Sequence, residues 1–292
     1  MDWLFISEVL LAGIGGGGLY ALAGLAFVII YKATKVVNLA IGEMLMMGAY
    51  IFYAFAAGLQ WPIWLAVLMA IAASGVMGGI IERLAIRPML GEAPISVFMI
   101  TVGLGSMLVG LVELIWSADQ RRLPEFIPTA PIFLGDAFIS SKVFYGFLVA
   151  LALVSIVVMV FRSWRGGVAL RATASDQGAA YAMGINVSRV FSLAWVAAAA
   201  LAAVAGIAVG AIGGLSSSMG IFGLSVLVVV IVGGLDSVVG ALLAGLLIGV
   251  LEALAGAFLG GEYKLLVTFL VLVVVLMLRP YGLFGTREIE RL

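Results

Sequence analysis

The sequence predicts an all-α, polytopic integral membrane protein of about eight to nine transmembrane segments, one of them interrupted or re-entrant. Three observations carry that prediction. Of 292 residues, 65% are hydrophobic and only 10% charged, with a mean hydropathy of +1.29, whereas a water-soluble domain carries about 25% charged residues. Apolar runs long enough to cross a bilayer, about 20 residues each, recur along the chain. The Lys and Arg between those runs favour alternate connections, the pattern that orients a membrane protein.

The runs fall at 8–31, 36–58, 61–81, 95–116, 143–161, 190–211, 221–259 and 265–278. Segment 1–7 has no basic stretch and no small-residue cleavage signal, so no cleaved signal peptide is expected. Gly15 to Gly18 follow one another inside the first run, which weakens the helix there and suits a bend or a backbone-lined cavity. The run 221–259 is too long for one span and is broken at Gly233-Gly234-Leu235-Asp236-Ser237. Its Val-rich first half is short for a crossing and reads as a re-entrant half-helix or a tilted short span. Asp236 is expected to cap the helix after the break. Small-xxx-small spacings recur at Gly13/Gly17, Gly75/Gly79, Gly206/Gly210, Gly245/Gly249 and Gly256/Gly260. Lipid gives little hydrophobic drive for helices to associate, so close backbone packing must supply it. A tight bundle, and a helical partner subunit, are the expectations.

Orientation follows from the basic residues. Lys32, Lys35, Arg83, Arg87, Arg162, Arg165, Arg171, Arg189, Arg279, Arg287 and Arg291 all fall on one side if the N-terminus is outside, leaving Arg121, Arg122, Lys142 and Lys264 for the other. An outside N-terminus with a cytoplasmic C-terminus needs an odd number of crossings, met if the 221–259 run crosses twice.

The loop 163–189 would then be cytoplasmic. It is polar and ordered in pattern: Trp164, Arg165 and Gly166-Gly167 lead out of the apolar run, Ser175 reads as an N-cap, and Asp176 adds negative charge at the helix start. Ala179, Ala180, Ala182 and Met183 are good helix formers, and Gly184 suits the left-handed closing residue. A short capped helix over 176–183 is expected, either as a structured connector or as a rigid knob for a soluble partner.

Charge inside a bilayer is costly, about 2.5–3.5 kcal/mol on insertion scales. Glu43 and Glu252 are read either as hydrogen-bonded structural glutamates or as the polar lining of a substrate path, with Asn38 near Glu43; Glu113 lies near a span end. Lys plus Arg and Asp plus Glu are equal at 15 each, Cys and His are both zero, and no phosphate-binding GxxxxGK[ST], selectivity-filter or hydrolase motif occurs. No enzyme activity, metal site or nucleic-acid partner is expected, and no cofactor on this chain.

Four stretches together resemble the shorter permease subunit of branched-chain amino acid ABC transporters, the hydrophobic amino acid uptake group. They are LYALAGLAFVIIYKATKVVNLAIGEMLMMGAY, LRATASDQGAAYAMGINVSRVFSLAW, VVIVGGLDSVVGALLAGLLIGVLEAL and RPYGLFG. The resemblance runs nearly end to end. It implies a type II-like importer permease, residues 1–292 as one transmembrane domain in a bacterial inner membrane. It also implies a second related permease, two cytoplasmic ATPase subunits that bind ATP-Mg, and a periplasmic or extracellular solute-binding protein. AAYAMG is similar to the core of the coupling motif of bacterial import permeases, which assigns ATPase coupling to Arg171, Asp176, Ala179, Ala180 and Gly184. Gly178 stands where that motif has Glu, Ile41 where relatives commonly have His, and Asp236 where a small residue is often seen. Asn38, Glu43, Thr101 and Glu252 are the residues expected to line the path. Branched-chain or other hydrophobic amino acids are the expected substrates, with urea or short-chain amides as an alternative. A stand-alone secondary transporter using Glu43 and Glu252 is the rival from another class.

Overall fold

In the computed structural model, which describes residues 3–286, the chain is almost wholly helical and eight helices are long and apolar enough to cross a membrane. They are α1 (Trp3–Thr34), α2 (Ile41–Tyr53, extended by a π-helical turn to Gly58), α3 (Ile63–Ile81), α4 (Pro94–Trp116), α5 (Ser141–Ser163), α8 (Val187–Gly213), α10 (Val238–Phe258) and α11 (Lys264–Leu278). Between α5 and α8 lie α6 (Arg165–Ser175) and α7 (Gln177–Ala182), and α9 (Phe222–Gly233) precedes α10. Every apolar run of the sequence becomes a helix, and the long run divides at the expected glycines. Arg287 and Arg291, counted in the charge pattern, lie outside the described residues.

Two compact units make up the chain: Met1–Val28, Ile127–Leu151 and Ser225–Leu292 in one, Ile29–Phe126 and Ala152–Leu224 in the other. In the first, the glycine spacings of α1 and α10 meet one another. A Cβ on Gly13 would lie 2.7 Å from the Val250 Cα, and one on Gly17 would lie 2.8 Å from the Gly245 carbonyl. Only glycine permits that approach, and it replaces hydrophobic drive with backbone contact. The run Gly15 to Gly18 therefore serves packing within one continuous helix rather than a break: Gly18 faces the Phe147 ring, whose Cδ2 a Cβ would meet at 2.5 Å.

The same unit holds the break after α9. Helix α9 leaves its last carbonyls without intrahelical partners, and the tail supplies them. The Leu283 N–H donates to the Val232 carbonyl (2.8 Å) and the Phe284 N–H to the Gly233 carbonyl (3.1 Å). Gly234 and Gly282 both adopt positive φ, +104° and +78°, and pack against the opposite strand of this junction. Ser237, not Asp236, caps α10, accepting from the Gly240 N–H at 2.9 Å; Asp236 instead accepts from the Thr286 N–H and hydroxyl. An antiparallel pair, β1 (Ile132–Leu134) with β2 (Ala137–Ile139), turns at Gly135 within the long polar connection.

In the second unit, α8 packs closely on α2 and α3. A Cβ on Gly78 would lie 2.5 Å from the Ala199 Cβ and 2.6 Å from the Trp195 carbonyl, and one on Gly48 would lie 2.5 Å from the Ala203 Cα. Gly206 is pressed against the Leu45 carbonyl. Trp195, Tyr50, Phe52, Met44 and Leu45 fill the space between these three helices and are fully buried.

Candidate functional site

The non-helical linker 35–40 carries the chain from α1 into α2, and it is held by polar side chains. Asn38 is fully buried; its Oδ1 accepts from the Ala40 N–H (3.1 Å) and its Nδ2 donates to the Met44 sulfur (3.3 Å). Thr101 on α4, also fully buried, accepts from the Leu39 N–H (3.3 Å) and donates to the Phe98 carbonyl (2.8 Å), with the Val37 carbonyl at 3.3 Å. The buried part of the linker needs such donors and acceptors, because a backbone polar group without a partner is costly there.

Glu43, in the first turn of α2, stands beside them. Gly105, one turn beyond Thr101, leaves it room: a Cβ there would lie 3.3 Å from the Glu43 Cδ. Gly220, just before α9, leaves room on the other side, since a Cβ there would lie 2.8 Å from Oε1. The other oxygen, Oε2, is buried and has no hydrogen-bond partner among the described residues. The structure thus brings three of the four expected path residues, Asn38, Glu43 and Thr101, into one cluster.

Glu252 belongs to the other unit, where hydroxyls saturate it. Tyr20 donates to Oε2 (2.5 Å), and Ser225 (3.0 Å) and Thr268 (2.6 Å) donate to Oε1. One carboxylate therefore joins α1, α9, α10 and α11. Glu113 is exposed in the last turn of α4.

The loop between α5 and α8 is built from two helices where one was expected. Arg165–Ser175 is α-helical despite Gly166-Gly167, because Gly167 packs against the Phe161 backbone (2.5 Å from its carbonyl to a would-be Cβ) and Arg171 donates to that same carbonyl. Ser175 ends this helix, so it is not the cap of the next; Asp176 is, accepting from the Ala179 N–H at 2.9 Å. Gly184 closes α7 at φ +83°, as expected. Ala180 is buried at 3% exposure, whereas Tyr181 and Met183 stand out at 76% and 83%. The projecting chemistry of the knob is thus aromatic and thioether, together with exposed Gln177, Gly178 and Ala179.

One constellation had no visible signal in the sequence. Glu82 opens a π-helical turn, Glu82–Ile86, and is fully buried. Arg87 grips it with two hydrogen bonds, Nε to Oε1 (3.0 Å) and Nη2 to Oε2 (2.8 Å), and the Ser192 hydroxyl of α8 donates to Oε2 as well (2.9 Å). Residues five apart do not face one another on an α-helix; the wider π-turn brings them together.

Packed apolar spans around a buried polar cluster at the entry of α2 define a polytopic membrane protein. The chain belongs to the family described as the branched-chain amino acid transport system permease component, matched over residues 9–276. It is 30% identical to the high-affinity branched-chain amino acid transport system permease protein LivH of Salmonella typhimurium, over 99% of each chain. It is 29% identical to LivH of Escherichia coli K12, again over 99% of each, and 32% identical to BraD of Pseudomonas aeruginosa over 97% of each. Among solved structures it is similar in fold to a chain of PsaBC from Streptococcus pneumoniae, determined in complex with a Fab, at TM-score 0.52 and 13% identity, covering 96% of this chain and 94% of that one.

Proposed function

We propose that this chain is the membrane-spanning subunit of an ABC importer that moves branched-chain or other hydrophobic amino acids by ATP-driven alternating access. In this reading two ATPase subunits hydrolyse ATP-Mg in the cytoplasm, a related permease completes the path, and a soluble binding protein delivers substrate from outside. Glu43 carries the reading of the path. Its Oε2 is the one buried carboxylate oxygen among the described residues that lacks a hydrogen-bond partner, and an unpartnered intramembrane acid is expensive unless something passes or binds there. Asn38 and Thr101 frame it, and glycines at 105 and 220 keep the space clear. Glu252, already satisfied by three hydroxyls, serves in this reading to brace the helices of its own unit. Those same hydroxyls weigh against a paired Glu43/Glu252 ion site and so against a stand-alone secondary transporter.

The knob 176–184 is the proposed ATPase contact. Asp176 and Gly184 set its ends, Ala180 seats it, Arg171 ties the preceding turn, and Ala179, Tyr181 and Met183 face outward for a partner's cleft. The N-terminus is outside and the tail cytoplasmic. The basic connections carry that polarity, and two junctions fit the crossing order: Arg121 and Leu215 exchange backbone hydrogen bonds (2.9 and 2.7 Å), joining the ends of α4 and α8, and the tail joins the break after α9. With α9 as a short ninth crossing, about 18 Å of helix against a hydrocarbon core of about 30 Å, the basic connections 32–35, 83–87 and 162–189 all face the cytoplasm.

Reconstitution in proteoliposomes with the ATPase and binding-protein partners tests the reading. Uptake of leucine-class substrate requires ATP, and Tyr181→Asp, placing charge on an exposed position, abolishes ATPase co-purification while the permease elutes as a folded species. Uptake driven by an ion gradient alone, or undiminished association of the variant, refutes it.

A further inference from the structure

The α7 knob joins α8 through a rigid turn. Ala180 is buried, the Ile185 N–H donates to the Ala180 carbonyl (3.0 Å), and Asn186 caps α8 by accepting from the Arg189 N–H (3.0 Å). At the next turn of α8, Ser192 meets the pair that buried Glu82 and half-buried Arg87 form at the end of α3. The Arg87 Nη2 lies 2.6 Å from the Ser192 hydroxyl oxygen and 3.4 Å from the Ser188 carbonyl, so the nitrogen that holds the Glu82 Oε2 also reaches α8, while Nε holds the Glu82 Oε1. Above this point α3 and α8 touch at backbone range through Gly78, and α2 and α8 through Gly48 and Gly206.

We propose that Glu82, Arg87 and Ser192 form a clamp that fastens the entry of α8 to the end of α3, so that a displacement of the α7 knob carries α2, α3 and α8, with Glu43, as one body. This rests on the reading of the knob as the ATPase contact. A bidentate pair suits such a clamp, because a planar guanidinium held at two oxygens resists rotation as well as separation. The burial of Glu82 makes disengagement of Arg87 costly, since it leaves that buried carboxylate without its charged partner. Glycine contacts alone would let two helices slide along each other, because dispersion has little directionality. The clamp removes that slip at the point where force enters. Glu82, Arg87 and Ser192 are positioning residues; none faces the Glu43 cluster.

Ser192→Ala separates the clamp from mere stability, because it leaves the Glu82–Arg87 pair intact and removes both hydroxyl bonds to α8, leaving there only the long contact of Arg87 with the Ser188 carbonyl. In the complete reconstituted importer, Ser192→Ala retains ATPase association and ATP hydrolysis but moves at least about fivefold less substrate per ATP, since it removes two hydrogen bonds and even one is worth about 1 kcal/mol net. Ser192→Thr, which keeps the hydroxyl, restores the ratio. Arg87→Lys, which keeps charge but not the fork, reproduces the loss independently. The chain has no cysteine, so spin labels attached through Leu84→Cys and Leu193→Cys, both exposed in the wild type, report the α3–α8 distance directly. That distance is the same with and without ATP in the otherwise unaltered importer and broadens with Ser192→Ala. An unchanged substrate-to-ATP ratio in Ser192→Ala, or a distance that already shifts with ATP before the change, overturns the clamp. Failure of the unaltered permease to bind ATPase subunits would instead remove the coupling reading beneath it.

Discussion

Gly78→Ala tests the packing on which the second unit depends. The added methyl would stand 2.5 Å from the Ala199 Cβ and 2.6 Å from the Trp195 carbonyl oxygen, where ordinary contact begins near 3.4 Å. Helices α3 and α8 must therefore part by roughly 0.8–0.9 Å, and a gap of that size forfeits about a quarter to a half of each dispersion contact along the seam. Overpacking of this kind costs about 1–3 kcal/mol. The clamp at Glu82, one turn away, keeps the helices from relaxing apart freely. Gly103→Ala on α4 is the control: a Cβ there meets nothing within 4 Å. Both variants gain the same helix preference, about 0.5–1 kcal/mol, so their difference isolates the steric term. Thermal unfolding of the purified proteins in detergent should then place Gly78→Ala roughly 2–12 °C below Gly103→Ala, taking about 2–4 °C per kcal/mol. Equal melting temperatures would show that α3 and α8 do not approach at backbone range and would refute the packing.

Glu43→Gln keeps shape and removes charge, so uptake by the reconstituted importer should fall about 10- to 100-fold, the value of one hydrogen bond to a charged group, while thermal stability holds or rises. Undiminished uptake would take Glu43 off the path. At the hydroxyl-lined acid, Thr268→Val removes one of three donors at constant shape and should cost about 0.5–1.5 kcal/mol; Glu252→Leu removes the acceptor that all three hydroxyls share and should cost more. Melting midpoints that rank in the opposite order would contradict the hydrogen-bond assignment.

Much of this was legible in the chain because the bilayer imposes a simple rule. A run such as 95–116 needs only length and apolarity to become α4, Pro94–Trp116, and the Gly233-Gly234 pair marked the break correctly. Caps were harder. Ser175 and Asp176 compete for one position, as do Asp236 and Ser237, and the outcome turns on which backbone N–H each side chain reaches once the preceding helix has ended. Gly15 to Gly18 looked like a weakness because helix preference is local, whereas the partners that make them useful, α5 for Gly15 and Gly18 and α10 for Gly17, lie more than a hundred residues away. The Asn38–Glu43–Thr101 cluster was half visible: Asn38 and Glu43 share a segment, and Thr101 joins them only through the fold. Nothing in sequence spacing announced that Tyr20, Ser225 and Thr268 converge on Glu252, or that a π-turn would align Glu82 with Arg87. Convergence of distant hydroxyls leaves no periodic trace, and a π-turn breaks the spacing by which helical pairs are recognised.

The RPYGLFG segment gives the C-terminus a share in assembly. Because Leu283 and Phe284 donate to carbonyls of Val232 and Gly233, a ribosome still translating α11 leaves α9 with its last acceptors open. The first unit is therefore completed only when the final dozen or so residues emerge, however early its other helices insert. Shortening the protein before Gly282, or fusing a bulky reporter there, would act some fifty positions upstream, on the finish of a helix made long before.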